Sequence, residues 1–206
     1  MEQRSSDWFA IRLGRVTASR ITDVTARTKT GWGAGRANYK AQLIAERLTG
    51  QQQDSFTNAA MQWGIDTEAA ARTAYCFLHD AKVVEEGFVI HPAIEMSGAS
   101  PDGLVGSNGL VEIKCPNTAT HIDTLKAQTI PSKYVPQMLW QMACCEREWC
   151  DFASFDPRLP EEMQLFVKRL HRDDAAVAEL EAAVREFLAE VEADVAELTN
   201  LYRKAA

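Results

Sequence analysis

Asp102, Glu112 and Lys114 are the residues of this chain whose types and spacing carry the clearest chemistry. Glu112 and Lys114 stand two apart in Leu110-Val111-Glu112-Ile113-Lys114, a run of strand formers, and residues i and i+2 of a strand project from one face. Asn108-Gly109, just ahead, is a tight-turn dipeptide able to supply two positive φ values. The segment from Ser100 to Pro116 therefore reads as a β-hairpin that brings Asp102 beside the Glu-Lys pair. Two carboxylates on one short scaffold make a hard-oxygen site for a divalent cation. A neighbouring ammonium can orient a nucleophile or stabilise charge. The same letters also describe a plain turn followed by a solvated ion pair, so the rest of the chain has to decide between the two.

Several elements must position these groups. Residues 6–13 suggest a short helix capped by Ser6 or Asp7 and ended by Gly14, and a second opens at Thr17 as cap. A helix N-terminus there would join Arg12, Thr17 and Ser19 in a cradle for phosphate, although capping and a surface ion pair would use the same residues. Residues 27–36 form a Gly-rich basic loop whose Lys29, Trp32 and Arg36 are placed to contact a nucleic-acid backbone or stack on a base. An amphipathic helix follows over Asn38–Leu48, closed by Gly50, and after a polar linker Asn58 caps a longer helix to about Leu78 with Glu68 at its middle. Strands are expected at 82–90, 94–99, 150–155 and 163–171, and helices at 118–127 and 133–146. The second of these helices carries Gln137 and Gln141 one turn apart on one face. Asp173-Asp174 then caps a long helix whose apolar residues, from Val177 to Leu201, step by three and four.

Composition bounds the class. The chain has 206 residues, 46% of them hydrophobic and 25% charged, ordinary for a globular protein with a substantial core. No apolar run reaches the roughly 20 residues of a membrane span, and the N-terminus leads into no signal-peptide core, so a cytoplasmic location with no membrane partner is expected. Five cysteines without a CxxC read as free thiols, and the four histidines show no metal-ligand spacing. The net charge is −7, but residues 1–50 hold nine Lys/Arg against four Asp/Glu. That basic third is suited to phosphates while the acidic remainder holds metal or faces solvent.

Several separated segments carry a resemblance. They are Trp8…Arg12-Leu13-Gly14…Thr17-Ala18-Ser19, Trp63-Gly64…Glu68…Ala71-Arg72, Ser100-Pro101-Asp102-Gly103, Leu110…Glu112…Lys114-Cys115-Pro116, Tyr134…Gln137 and Asp156-Pro157-Arg158. In this order the chain resembles the lambda-exonuclease and YqaJ-type viral recombinase family of the PD-(D/E)xK nucleases, from about residue 8 to residue 190. The resemblance implies an α/β fold: a restriction-endonuclease-like core with a mixed central β-sheet flanked by helices, plus the long C-terminal helix. It implies one nuclease domain over 1–206, comprising a basic N-terminal part (1–57), the core (58–171) and the C-terminal helix (172–206).

Carried over position by position, the resemblance implies that Asp102, Glu112 and the Ile113 carbonyl bind Mg²⁺, with two ions expected and Mn²⁺ an alternative. Glu68 would complete the acidic cluster through water, and Lys114 and Gln137 would orient the attacking water. Arg12, Ser19 and Ser100, with Thr17 nearby, would receive a terminal 5′-phosphate. Met61 would be the wedge that parts the end base pair, and Lys29 would stand at a DNA contact, with Arg36 expected beside it from the basic loop alone. Two departures stand out: Lys29 replaces an expected arginine, and Leu139 occupies the place of a second glutamine. The implied activity is Mg²⁺-dependent, processive 5′→3′ digestion of one strand of double-stranded DNA ends to 5′-mononucleotides by a ring-shaped homotrimer. The 3′ strands left behind would pass to a single-strand annealing protein. A structure-specific or restriction-type endonuclease is the alternative with the same core, and a catalytically silent DNA-end-binding scaffold the alternative without catalysis.

Overall fold

The computed structural model describes residues 2–29, 31–53 and 59–202. In chain order the helices are α1 (Ser6–Arg12), α2 (Ile21–Val24), α3 (Ala34–Thr49), α4 (Ala59–His79), α5 (Thr118–Ala127), α6 (Val135–Cys145) and α7 (Asp174–Tyr202). The strands are β1 (Val16–Thr17), β2 (Arg27–Thr28), β3 (Gly31–Trp32), β4 (Val83–Val84), β5 (Val89–His91), β6 (Ile94–Ala99), β7 (Gly103–Val105), β8 (Gly109–Lys114), β9 (Trp149–Phe155) and β10 (Leu165–His171). The main sheet has the order β10-β9-β8-β7-β4 and is mixed, with only β8 and β9 parallel. A second sheet, β1-β6-β5, pairs β1 parallel to β6, and β2-β3 is a separate ribbon.

The pleat of β8 explains why two helices sandwich it. Leu110 faces α6, where it clusters with Met138, Leu139 and Met142, and Glu112 shares that face. Val111 and Ile113 face the other way, onto Ala71 and Tyr75 of α4. Helix α6 runs between both sheets, and its Trp140 and Cys144 join Val16, Ile21, Leu43 and the inner side of α7 in a third apolar cluster. The α7 stripe buries Val177, Val184, Phe187 and Val191, while Leu201 and Tyr202 near its end are exposed. Its acidic side meets α3 in the pairs Arg36–Glu190, Lys40–Asp194 and Arg47–Glu192. Among the described residues no helix is long and apolar enough to cross a membrane.

Several expectations shift in detail. The strand over 82–90 divides in two, because Val83–Val84 pairs with β7 in the main sheet and Val89–His91 with β6 in the other. The helix expected from Asn38 starts at Ala34, so the Gly-rich stretch is not a loop throughout. Asp173, not Asp174, caps α7 through its Oδ1, which accepts from the Ala175 and Ala176 N–H groups at 3.0 and 3.1 Å. The expected cap Asn58 lies outside the described residues. In the hairpin, Val105 pairs with Gly109 across a three-residue turn, and the positive φ is at Gly106 (57°), not at Asn108-Gly109. Gly109 answers a different need: a Cβ there would collide with the Trp149 indole across the sheet.

Candidate active site

The parallel pairing of β8 with β9 and the packing of α6 hold Glu112 with no solvent exposure. A buried carboxylate must be compensated, and it is on every side. Gln137 Nε2 donates to its Oε1 at 2.6 Å, Gln141 Nε2 donates to its Oε2 at 2.5 Å, and the Lys114 ammonium pairs with Oε1. Asp102, in the bend between β6 and β7, accepts the Ile113 N–H at 2.7 Å through Oδ2. The hairpin thus brings Asp102, Glu112 and Lys114 together as the spacing suggested. Burial first, then the nearby Glu112, holds the Asp102 carboxyl well above the usual range, with Lys114 opposing. Burial works against the Lys114 ammonium, but the pull of Glu112 and Asp102 outweighs it and raises its pKa, so it stays charged.

Asp102, Ile113 and Lys114 line a cleft of about 630 Å³ whose opposite wall is α4, with Glu112 buried behind them. Glu68 reaches into it from α4, paired with Arg72 at 2.7 Å and Arg4 at 3.4 Å. Among the described residues no three His, Cys, Asp or Glu side chains converge to hold an ion by themselves. The donor set nevertheless suits a hard divalent cation. Asp102 and Glu112 are pressed together in low dielectric at the cost seen in Asp102, and a cation between them would relieve it. Mg²⁺ commonly takes few protein carboxylates and completes its shell with water and substrate phosphate.

An adjoining cleft of about 420 Å³ lies between α1, β1 and α3. Ser100 Oγ accepts from Trp8 Nε1 at 2.9 Å and Arg12 Nη1 at 3.1 Å, and the Arg12 guanidinium stacks on the Trp8 ring at 3.9 Å. Burial lowers the Arg12 pKa to about 10, which leaves it cationic at neutral pH. Thr17 Oγ1 lies 3.4 Å from Ser19 Oγ. The four residues foreseen as an anion pocket are therefore neighbours. Thr17 makes no cap, however: its side chain bonds no helix N–H, and a three-residue 3₁₀ turn follows it. An anion here would meet side chains rather than a helix N-terminus. Met61, half exposed on the first turn of α4, borders both clefts.

The basic stretch 27–36 needs correcting. Arg36 is buried, with Nη1 donating to the Val24 carbonyl at 2.7 Å, Nη2 on Glu190 at 2.6 Å, and the guanidinium between the Trp32 and Phe187 rings. It ties α3 to α7 and is not a DNA contact. Trp32 lies between the Arg27 and Arg36 guanidinium groups, each 3.8 Å from the ring centroid, so neither ring face is open to a base. Lys29 is exposed beyond β2. Sequence reasoning passed over two residues. The sequence places Gln141 only one turn from Gln137 on the same helix face, and the structure shows that both reach the Glu112 carboxylate. Arg4 had no signal beyond its charge.

The YqaJ-like viral recombinase domain matches residues 7–148, which include every one of these clustered side chains except Arg4. The chain belongs to the YqaJ-like viral recombinase family. Two crystal structures of LHK-Exo, an alkaline exonuclease from Laribacter hongkongensis, one of them in complex with dAMP, are 51% identical to it. Each match covers 98% of this chain and 100% of the other, at a TM-score of 0.91. A phage-related exonuclease from Haemophilus somnus 129PT shares the fold at a TM-score of 0.73 and 14% identity, over 89% of this chain and 96% of its own. No functionally curated protein matches the sequence. For this YqaJ-family chain the α/β architecture with its long C-terminal helix is thus that of its exonuclease relatives.

Proposed function

We propose that this enzyme is a divalent-metal-dependent exonuclease that digests one strand of linear double-stranded DNA from its 5′ end, releases 5′-mononucleotides and leaves 3′ single strands for an annealing protein. Exonuclease activity follows from the family and its 51%-identical relatives. The observation that carries the polarity is the adjacency of the two clefts. The cleft of the carboxylate–ammonium centre and the Arg12 cleft share Arg4, Ser19, Met61 and Ile65 on their common border, with Ser100 bonded to Arg12 beside them. A terminal phosphate held by Arg12, Ser19 and Ser100, with Thr17 supporting Ser19, would leave the next phosphodiester over Asp102 and Glu112. Mononucleotides would then leave one at a time, and the capture of dAMP by the Laribacter enzyme supports such a product.

A divalent cation on Asp102, Glu112 and the Ile113 carbonyl would supply charge neutralisation at the scissile phosphate and an acidified water nucleophile. Mg²⁺ is the ion proposed, two being suited to the reaction and Mn²⁺ a substitute. Lys114, kept cationic by its carboxylate neighbours, orients the attacking water. Gln137 and Gln141 hold Glu112 in one rotamer, Glu68 acts across the cleft through water, and Met61 is placed to part the terminal base pair. A homotrimeric ring around the duplex would give processivity to a chain whose net charge of −7 disfavours tight DNA binding. The test is a comparison of linear duplex with covalently closed circular DNA of the same sequence. Digestion confined to the linear form supports an exonuclease; ready cutting of the circle would instead make the centre an endonuclease.

A further inference from the structure

Arg4 borders both clefts, and among the described residues lining both it is the only charged one. Its placement is built. Gln3 Nε2 donates to the carbonyls of Glu86 and Pro101 at 2.7 and 2.9 Å, which straps the segment to the backbone just before Asp102. Ser5 caps α1 by accepting the Trp8 N–H at 3.3 Å. Between these anchors Arg4 takes φ 69°, the left-handed region that a non-glycine residue seldom adopts without cause. That backbone turn sends the guanidinium over the cleft to Glu68.

The Arg4–Glu68 contact is suited to exchange. It is long, 3.4 Å, and Arg4 is 48% exposed, so the pair contributes little. Glu68 would not be left bare if Arg4 moved, because Arg72 holds its other oxygen at 2.7 Å. A cation on Asp102 and Glu112, across the cleft from Glu68, would repel the guanidinium, whereas a DNA strand crossing from the Arg12 pocket to Asp102 would bring phosphate oxygens beside it. Guanidinium forks bind phosphate bidentately.

We propose that Arg4 is a DNA-phosphate ligand: it neutralises Glu68 in the free enzyme and transfers to the strand between the terminal phosphate and the scissile bond when DNA binds. This rests on the reading of the Arg12 pocket as the 5′-phosphate site. Arg4 is thereby a positioning group lying outside the matched family segment of residues 7–148.

The test is equilibrium binding of a fluorescent blunt duplex, with 5′-phosphate or 5′-hydroxyl ends, in metal-free buffer over a salt series. Arg4→Ala should weaken binding to both duplexes about 5- to 10-fold and reduce the slope of log K against log[salt] by about one. Arg4→Lys should restore the slope, and neither variant should lower the melting temperature. Arg12→Ala should abolish the preference for the phosphorylated end. Wild-type affinity and slope in Arg4→Ala, alongside a lost preference in Arg12→Ala, would overturn the Arg4 proposal alone. An unaltered preference in Arg12→Ala would overturn the underlying reading of the pocket. A fall in melting temperature in Arg4→Ala with an unchanged salt slope would make Arg4 a structural strap and overturn its role as a ligand.

Discussion

Gln141 Nε2 donates a 2.5 Å hydrogen bond to Glu112 Oε2, while its own Oε1 is buried with no hydrogen-bond partner among the described residues. An unpaired buried carbonyl is costly, so the side chain is held for what its amide does. With Gln137 one turn earlier on Oε1, it fixes both oxygens of Glu112 and leaves the carboxylate one orientation. Gln141→Leu should lower single-turnover digestion about 10- to 100-fold, the range seen when a group supporting a metal ligand is lost. DNA-end affinity in metal-free buffer should stay at the wild-type value. A variant with wild-type turnover across a Mg²⁺ titration would remove Gln141 from the site.

Arg36 offers a contrast. Its guanidinium is buried between two aromatic rings and bonded to Val24 and Glu190. Breaking a buried, hydrogen-bonded charge typically costs about 2–5 kcal/mol. Arg36→Ala should therefore lower stability by that amount in urea unfolding while leaving DNA-end affinity intact in the folded fraction. Weakened DNA binding with unchanged stability would return Arg36 to the DNA surface.

Asp156 gives a pH signature outside the cleft. Burial pushes its carboxyl up, but hydrogen bonds from Arg158 and Thr118 outweigh that and hold it at about 2. Arg158 in turn stacks on Trp63 of α4, 4.3 Å from the ring centroid. A folded pKa below the unfolded value of about 3.9 gives stability that is present above pH 4 and lost as pH falls from about 4 to 2. Asp156→Asn should therefore melt lower than wild type at pH 7, and the gap should narrow by pH 3. A gap independent of pH would mean that ionisation of Asp156 is not what stabilises the loop.

The hairpin core was legible because its signals are local. Period-2 alternation set the faces of β8, and i, i+2 spacing set Glu112 beside Lys114. Strand 94–99 and the starts and ends of most helices were legible for the same reason. What the sequence hid was long-range. Nothing local says that Val83–Val84 and Val89–His91 serve different sheets, or that Gly109 is required by Trp149 some forty residues on. The charge count of the basic N-terminal third suggests a phosphate surface, yet Arg36, Lys40 and Arg47 neutralise α7 acids that lie about 150 residues later. Charge counts along the chain do not know which charges will meet. Arg12, Thr17 and Ser19, which residue spacing joins, and Ser100, which the resemblance adds, do gather, but through side-chain contacts rather than the helix terminus that the spacing suggests.

The central claim is that the Arg12–Ser100 pocket holds a 5′-phosphate and the Asp102–Glu112–Lys114 centre cuts the next bond in the presence of a divalent cation. The direct measurement is digestion of a linear duplex phosphorylated at one 5′ end only, with each strand separately end-labelled, with and without Mg²⁺, by wild-type and Glu112→Ala enzyme. Rapid loss of the phosphorylated strand alone, as 5′-mononucleotides, is expected only with Mg²⁺ and only in wild type. Equal digestion from both ends, digestion without a divalent cation, or full activity in Glu112→Ala would contradict it.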